Sequence, residues 1–220
     1  MEAIVRGSPS FAYLDVELAP GESIVAESDA MATMAADLDL KVRLNGGLFS
    51  GLCKKFFGKE SLFINEFTNQ RSENRRLTLS QSNPGDVIGI ELGGKTLCLQ
   101  PGAYIASTKG VHLGLQWAGL VSGISREGFF RLAVSGDGSI WFGAYGGLVE
   151  KEIDGEYIVD TAHLVAYEPQ IRLKLQMAGG VFSSILSGEG LVTRLEGNGK
   201  IWLQTRSLPS LVRWLNPKLF

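Results

Sequence analysis

Few side chains in this sequence could carry out catalysis or bind a metal ion. The chain contains two histidines, His112 and His163, and two cysteines, Cys53 and Cys98. Two separated histidines without a nearby carboxylate pattern do not make the usual three-ligand metal site. Neither cysteine belongs to a CxxC pair or has a visible activating group. The sequence therefore predicts no catalytic residue, no metal site and no cofactor.

Two glycine-rich tripeptides resemble fragments of nucleotide-binding loops. Gly136–Gly138 and Gly197–Gly199 both lie within β-patterned sequence, and no helical pattern follows either one. A phosphate-binding loop needs a strand, a glycine loop and a helix N-terminus together. We therefore interpret both tripeptides as hairpin turns whose glycines adopt positive φ. The paired carboxylates Glu150 and Glu152 are interpreted in the same way, as part of a solvated hairpin.

The elements that would position any site are strands of one repeated design. Three stretches of alternating apolar and polar residues, each ending in small residues, begin at Leu40, Val111 and Ile171. Such alternation places one set of side chains on a buried face and the other set in water. His112 falls at an outward position, where the sister stretches carry lysine and arginine. We expect His112 to be solvated.

A longer comparison predicts three related β-modules with a period near 60 residues. Lys95–Leu97 matches Glu156–Ile158, and Ala103–Ala106 matches Ala162–Val165. This period is too long for a solenoid repeat, so we expect small β-modules rather than stacked coils. The 28 glycines among 220 residues exceed the usual share of about 7% and fit many tight turns between short strands.

Equivalent positions in these modules predict the roles of several large side chains. Trp141 and Trp202 each follow a glycine tripeptide, and we expect both to be core anchors. His163 follows the repeated alanine, where the other copies have Tyr104 and Met31. We expect His163 to be a half-buried structural residue.

The first module fits the repeat more loosely than the other two. In it, Gly85–Ile88 takes the place of the final hairpin, and residues 66–83 are interpreted as a hairpin insertion. All parts are expected to form one compact unit. The predicted parts are the first β-module at 1–93, the second at 94–147, the third at 148–206 and a helical tail at 207–220.

The last segment differs from the rest because its apolar residues have helical spacing. Ser207 can cap a short helix, and Pro217 is expected to end it. The helix either docks on the β-core or presents a surface to a partner or a membrane, although its few charges disfavour lipid. The candidate partner surface consists of Leu208, Leu211, Val212, Trp214 and Leu215.

Charge and hydropathy exclude several classes of protein. The formal net charge of −2 provides no field that would attract nucleic acid or anionic lipid. No apolar stretch approaches the roughly 18–20 residues that span a bilayer, and the first 20 residues lack a secretory signal. We expect a soluble cytoplasmic protein that binds no nucleic acid, and that acts through an unknown protein partner or self-association. Peripheral membrane association stays open.

Motifs distributed over the whole chain resemble one protein family. They read PGESIVAE, NGGLFSG, GKESLFIN, QPGAYIAST, GEGLV and GNGKIWLQTRS. The resemblance is to a family of uncharacterised bacterial and archaeal proteins whose fungal relative is named for altered inheritance of mitochondria. It implies an all-β fold of three double-stranded β-helix (jelly-roll-like) modules in pseudo-threefold arrangement. The implied module is similar to that of the tryptophan-responsive RNA-binding attenuation protein.

Three functional hypotheses follow from these patterns. The first is a non-catalytic scaffold or binding module, because the architecture repeats without a chemical constellation. The alternatives are a metal- or small-ligand-dependent jelly-roll enzyme, and an RNA-binding protein by analogy with the attenuation protein. We also expect the apolar segments that follow the small residues to pack together near the pseudo-threefold axis. These segments are 48–49, 120–121 and 181–182.

Overall fold

The computed structural model describes residues 1–44, 63–100, 102–120, 128–177 and 191–219. Within these ranges the chain is mostly β-strand and contains one α-helix, near the C-terminal end, as expected from the sequence. The elements are β1 (Glu2–Arg6), β2 (Tyr13–Leu18), β3 (Ser23–Glu27), β4 (Met31–Met34), β5 (Asp39–Leu44), β6 (Phe63–Thr68), β7 (Arg75–Ser80), β8 (Val87–Glu91), β9 (Thr96–Leu99), β10 (Tyr104–Ser107), β11 (Val111–Leu120), β12 (Gly128–Gly136), β13 (Ser139–Gly143), β14 (Leu148–Asp160), β15 (Leu164–Tyr167), β16 (Arg172–Met177), β17 (Leu191–Gln204) and α1 (Leu208–Leu219).

The strands pair antiparallel in a scheme that recurs along the chain. In the first part, β2 and β4 flank β7, while β3 and β5 flank β6. In the second, β8 and β10 flank β13, while β9 and β11 flank β12. In the third, the long strands β14 and β17 pair along their whole length, and β15 and β16 pair with the two ends of β17. The strands β4, β10 and β15 each have a register shift against their central strand, at equivalent positions.

Residues 66–83 are not an insertion, so that prediction is wrong. They contain most of β6 and all of β7, which are the central strands of the first scheme. The sequence also predicts that Leu77–Ser80 and Val87–Leu92 are paired strands around the turn residues 83–86, and this is wrong because β8 pairs with β13 instead. The repeat is difficult to recognise here because Asn69, rather than a glycine tripeptide, follows β6. The buried Asn69 amide donates 2.8 Å hydrogen bonds to the carbonyls of Leu18 and Glu73, and so holds the connection to β7.

The two glycine tripeptides adopt positive φ as expected, but neither forms a hairpin. Gly136 and Gly138 have φ of 113° and 141°, and they connect β12 to β13, which lie in different sheets. Gly197–Gly199 lies inside the continuous strand β17. Glycine is needed at such a corner because the chain twists sharply where it passes from one sheet to the next.

Two junctions connect the three parts through backbone pairing. At the first junction β3 pairs with β10, and at the second β9 pairs with β15. The aligned residues are equivalent, since Ala26 lies opposite Ala106 and Leu99 lies opposite Ala166. The second and third parts therefore continue the sheets of the parts before them.

The core lies between the sheets, and both tryptophans belong to it as expected. Trp141 and Trp202 are almost fully buried. The Trp202 ring meets Phe142 edge-to-face at a centroid distance of 6.1 Å, and its Nε1 donates to Glu150 Oε2 at 3.1 Å. An edge-to-face pair of this kind adds stability beyond the burial of its area.

The repeated strand design is only partly confirmed. In the third copy Ile171 and Leu175 are buried while Arg172 is exposed, as the alternation predicts. In the first copy the expectation is wrong, because Leu40 and Val42 of β5 are exposed among the described residues. The segments 48–49 and 181–182 and residue 121, expected near a pseudo-threefold axis, lie outside the described residues.

A buried carboxylate reinforces the first junction. Glu66 of β6 is 3% exposed, and its Oε1 lies 2.7 Å from Lys109 Nζ in the turn after β10. Its Oε2 lies 2.6 Å from Arg43 Nη2 on β5. The hydrogen bond from Lys109 lowers the pKa of the Glu66 carboxyl, despite the opposing effect of burial.

Replacement of Gly110 should reveal how closely the turn after β10 packs on the β12–β13 corner. A Cβ at Gly110 would lie 1.9 Å from the carbonyl oxygen of Asp137, whereas a Cβ at Gly114 has its nearest neighbour at 3.9 Å. We expect Gly110→Ala to lower the free energy of unfolding by about 2–3 kcal/mol, as overpacking does. Gly114→Ala should leave it unchanged or raise it slightly, in urea unfolding followed by fluorescence. Equal effects of the two variants would contradict this close approach.

The role of Glu66 predicts a pH-dependent effect on stability. Because the folded-state pKa of Glu66 lies below its unfolded value of about 4.3, the ionised carboxylate stabilises the fold at neutral pH. That contribution is lost as the pH falls from the unfolded pKa through the folded pKa. Glu66→Gln should therefore cost about 1–2 kcal/mol at pH 7 and progressively less as the pH falls below about 4.3. The exposed Glu152→Gln serves as control, and a Glu66→Gln cost that does not change with pH would refute this role.

Candidate interaction surface

The C-terminal helix α1 begins at the cap that the sequence predicts. Ser207 Oγ accepts a hydrogen bond from the backbone N–H of Ser210 at 3.3 Å, and the two hydroxyls lie 2.7 Å apart. The Leu211 N–H donates to the Ser207 carbonyl at 3.1 Å, which closes the first turn. Pro209 fits this turn because the first backbone N–H groups of a helix have no intrahelical acceptor.

Pro217 does not end the helix, so the predicted C-terminus is wrong. The helix continues through Pro217 to Leu219. A proline in the last turn removes one hydrogen bond close to a terminus, where few bonds remain to be lost. Lys218 adds contacts in the same turn, since its Nζ donates to the Trp214 carbonyl at 3.0 Å and lies 4.3 Å from the centroid of the Trp214 ring.

The apolar face of α1 is largely exposed to solvent. Val212 and Trp214 are 52% and 59% exposed, Leu208 is also exposed, and Leu211 and Leu215 are half-buried. No residue of α1 belongs to the three buried clusters formed by the described residues. The expected docking of the helix on the β-core is therefore not seen in the described part of the chain. The five residues predicted as a partner surface lie together on this helix and are called the α1 surface below.

The charged side chains within the helical segment are both basic. Residues 207–220 include Arg213 and Lys218 and contain no aspartate or glutamate. Lys218 lies near the helix C-terminus, where a cation interacts favourably with the helix dipole. The surface is thus an apolar stripe with a basic border.

A hydrogen-bond network fixes the base of α1 to the β-core. The Gln204 side chain accepts from the Tyr145 N–H at 2.9 Å and donates to the Ala162 carbonyl at 2.7 Å. His163 Nδ1 lies 2.6 Å from the Gln204 carbonyl oxygen and donates to it. The Arg206 N–H donates to the Tyr145 carbonyl at 3.2 Å. The helix therefore leaves the core from a well-anchored point.

The two histidines behave as structural residues. His112 is exposed on β11, and His163 is half-buried with its ring bound to backbone, as the sequence predicts for both. The alignment behind the second prediction is off by one residue. Strand pairing makes Tyr104 equivalent to Leu164, so His163 corresponds to Ala103. Matching Ala103 to Ala162 displaces the alignment by one residue, and only the strand pairing reveals this.

A buried polar group on the second junction escaped the sequence patterns. Cys98 on β9, Arg131 on β12 and Tyr167 on β15 are all buried. Burial raises the pKa of the Cys98 thiol, while Tyr167 hydrogen-bonds to it. Burial also lowers the pKa of Arg131 to about 10, so its guanidinium remains charged at neutral pH. A buried thiol with a raised pKa is a poor nucleophile, and this group does not form a reactive centre.

The described residues contain neither a metal-binding cluster nor a membrane-spanning helix. No group of three or more histidine, cysteine, aspartate or glutamate side chains in these ranges is arranged to hold a metal ion. Among the helical residues that the structure describes, none forms a segment long and apolar enough to cross a membrane. Cys53 lies outside the described ranges.

Comparison with known proteins identifies relatives of the whole chain. A family model described as mitochondrial biogenesis AIM24 matches residues 4–206. An uncharacterized protein of Streptococcus pyogenes serotype M6 is 24% identical over 217 residues, covering 94% of this chain and 87% of that protein. The X-ray crystal structure of a Streptococcus pyogenes protein from a structural genomics consortium superposes with a TM-score of 0.79 at 23% identity, covering 99% of both chains. This similarity supports the fold, and neither relative's name states an activity.

The exposure of Trp214 predicts the fluorescence of the protein. Trp214 is largely exposed whereas Trp202 is buried, so acrylamide should quench Trp214 much more efficiently. We expect Trp214→Phe to lower the quenchable emission more than Trp202→Phe does, and to shift the remaining spectrum to shorter wavelength. Trp202→Phe, the matched control, should leave the quenchable emission in place. Unchanged quenching in Trp214→Phe would mean that the α1 surface is covered.

Proposed function

The chain belongs to the mitochondrial biogenesis AIM24 family, and we propose that it is a non-catalytic scaffold or binding module whose α1 surface docks a protein partner. The exposed apolar stripe on an anchored helix is the observation that carries this proposal. Exposed apolar groups in a contiguous patch are costly in water and commonly mark interaction sites. We also propose that the protein is cytoplasmic.

We propose three double-stranded β-helix (jelly-roll-like) modules in pseudo-threefold arrangement as the scaffold. The recurrence of the same four strand pairings, with the same register shift, supports this architecture. The pairing of β8 with β13 favours a first boundary before Val87 rather than at residue 93. The second boundary, before Leu148, fits the start of β14.

The chemistry of the described residues favours binding over catalysis. His163 is bound to a backbone carbonyl, His112 stands alone on an exposed strand face, and the Cys98 thiol is buried. A general base must reach the proton that it removes, and a nucleophile must be activated by its surroundings. These three side chains meet neither condition.

The α1 surface determines the chemistry of the partner. An amphipathic helix binds best in an apolar groove that receives its i, i+3, i+4 and i+7 side chains. Leu208, Leu211, Val212 and Leu215 have this spacing. Since Lys218 is exposed beside this stripe, we propose that the complementary groove has a carboxylate at its rim.

The proposal is tested by comparing Val212→Glu with Val149→Glu in a partner capture experiment. Val149 on β14 is 50% exposed and is not part of α1, so its substitution adds the same charge outside the helix. Full-length wild-type protein and Val149→Glu should retain one specific protein, and Val212→Glu should lose it at least tenfold. Capture of the partner by all three proteins, or by none of them, would refute the role of α1. Binding to anionic vesicles in place of a protein would instead assign the surface to membranes.

A further inference from the structure

An open groove in the first part of the chain contains no residue of α1 among the described residues that line it. The groove has a volume of about 620 Å³, and it is lined by Thr78 and by the cross-strand pair Tyr13 and Ser80 of β2 and β7. Phe11, which is 75% exposed, and residues 82–85 complete its walls. Clefts of about 300–1,000 Å³ commonly bind small molecules.

Strand pairing makes Thr78 the counterpart of the two core tryptophans. Thr78, Trp141 and Trp202 each pair with the residue that follows the register shift in β4, β10 or β15. A threonine side chain fills much less space than an indole ring. The first part therefore has an open groove at the place where the second and third parts hold a bicyclic aromatic ring.

The surroundings of the two tryptophans differ from those of Thr78. Trp141 belongs to a buried cluster made mostly of first-part residues, and Trp202 belongs to one made mostly of second-part residues. Each indole ring thus packs against the core of the part before its own. Thr78 belongs to none of the three buried clusters of the described residues, and it lines the groove instead.

A hydrogen-bond acceptor is present on the neighbouring strand, toward which both tryptophans direct their ring N–H. Trp202 Nε1 donates to Glu150 Oε2 at 3.1 Å, across the β14–β17 pair. Trp141 has the same direction, since a Cβ at Gly89, its partner on β8, would lie 2.7 Å from Trp141 Nε1. The equivalent residue of the first part, on β2, is Asp15.

The polar groups at the groove favour a neutral ligand that donates a hydrogen bond. Asp15 Oδ2 accepts from Arg6 Nε at 2.9 Å, and the Asp15 side chain is 26% exposed. A carboxylate has about four lone-pair sites, so it can accept a further hydrogen bond. The described residues that line the groove include no lysine, arginine, aspartate or glutamate, and their polar side chains end in hydroxyls and amides.

We propose that this groove binds a neutral, planar aromatic molecule with a ring N–H donor, of about the size of indole. The ring of the ligand occupies the place that a tryptophan side chain fills in the other two parts, and it contacts the Phe11 and Tyr13 rings. Its N–H donates to the Asp15 carboxylate. Contacts between aromatic rings, together with a partner for the ring N–H, stabilise such a group when it leaves water. The site is separate from the α1 surface, and binding there involves no reaction.

The first experiment titrates the full chain with indole and with 1-methylindole and follows the backbone amide signals by NMR. Indole should shift the signals of Thr78, Ser80 and Gln81 in a saturable manner. 1-Methylindole lacks the donor and should bind about fivefold more weakly, as the loss of one hydrogen bond to a charged group predicts. In Asp15→Ala the two ligands should bind equally. The absence of saturable shifts in the wild type, or the same preference for indole in the wild type and Asp15→Ala, would overturn the proposal.

The second experiment fills the groove with a side chain of the protein itself. Thr78→Trp should weaken indole binding by roughly tenfold or more because the added ring occupies the site, whereas Val149→Trp on exposed β14 should not. Phe11→Ala removes an exposed ring outside the core and should also weaken binding, with the exposed Val42→Ala as its control. Unchanged indole binding in both Thr78→Trp and Phe11→Ala would overturn the proposal, and a changed molar mass of Thr78→Trp would then assign the groove to a contact between chains. Val212→Glu should leave indole binding unchanged, so the groove and the α1 surface are tested separately.

Discussion

The structure depends on the requirement that backbone donors and acceptors of a strand be bonded on both sides. The central strands β6, β7, β12, β13 and β17 meet it by carrying a neighbour on each edge. Because β10 and β15 pair with strands of the preceding part, the same requirement also joins the three parts into continuous sheets. The hydrophobic clusters lie between sheets whose order this pairing determines. Packing stabilises the arrangement, and backbone pairing specifies it.

Local features of the fold were predictable from sequence, and long-range pairing was not. Alternation identified the strands at Val111 and Ile171, and glycine tripeptides identified positions of positive φ. Alternation has the same period in a hairpin and in strands of different sheets. It therefore could not predict that β12 and β13 lie in different sheets. The match of His163 was likewise displaced by one residue, because the alignment was set by repeated alanines and not by strand pairs. Partner choice in a β-protein is settled by contacts distant in sequence.

The α1 surface shows the same difference between local features, which the sequence predicts, and long-range contacts, which it does not. Helical spacing and the Ser207 cap are local, and both predicted the element correctly. Whether an apolar stripe faces a core depends on the shape of the rest of the molecule, which spacing does not encode. Pro217 was misjudged because its cost depends on its position within the last turn. The buried charges Glu66 and Arg131 were missed because a polar residue in an alternating strand ordinarily faces water.

Among the described residues, the repeated pairing scheme leaves strand edges unpaired in the first and last parts. Identical copies in a symmetric assembly satisfy every junction, whereas a linear chain of three parts forms only the two junctions that lie between them. The first and last parts therefore keep one edge each, β4 and the Glu156–Asp160 half of β14, and differ from the middle part in exposure. The β4 segment carries no charged side chain, whereas the Glu156–Asp160 half begins and ends with an acidic residue, as natural edge strands that resist pairing usually do.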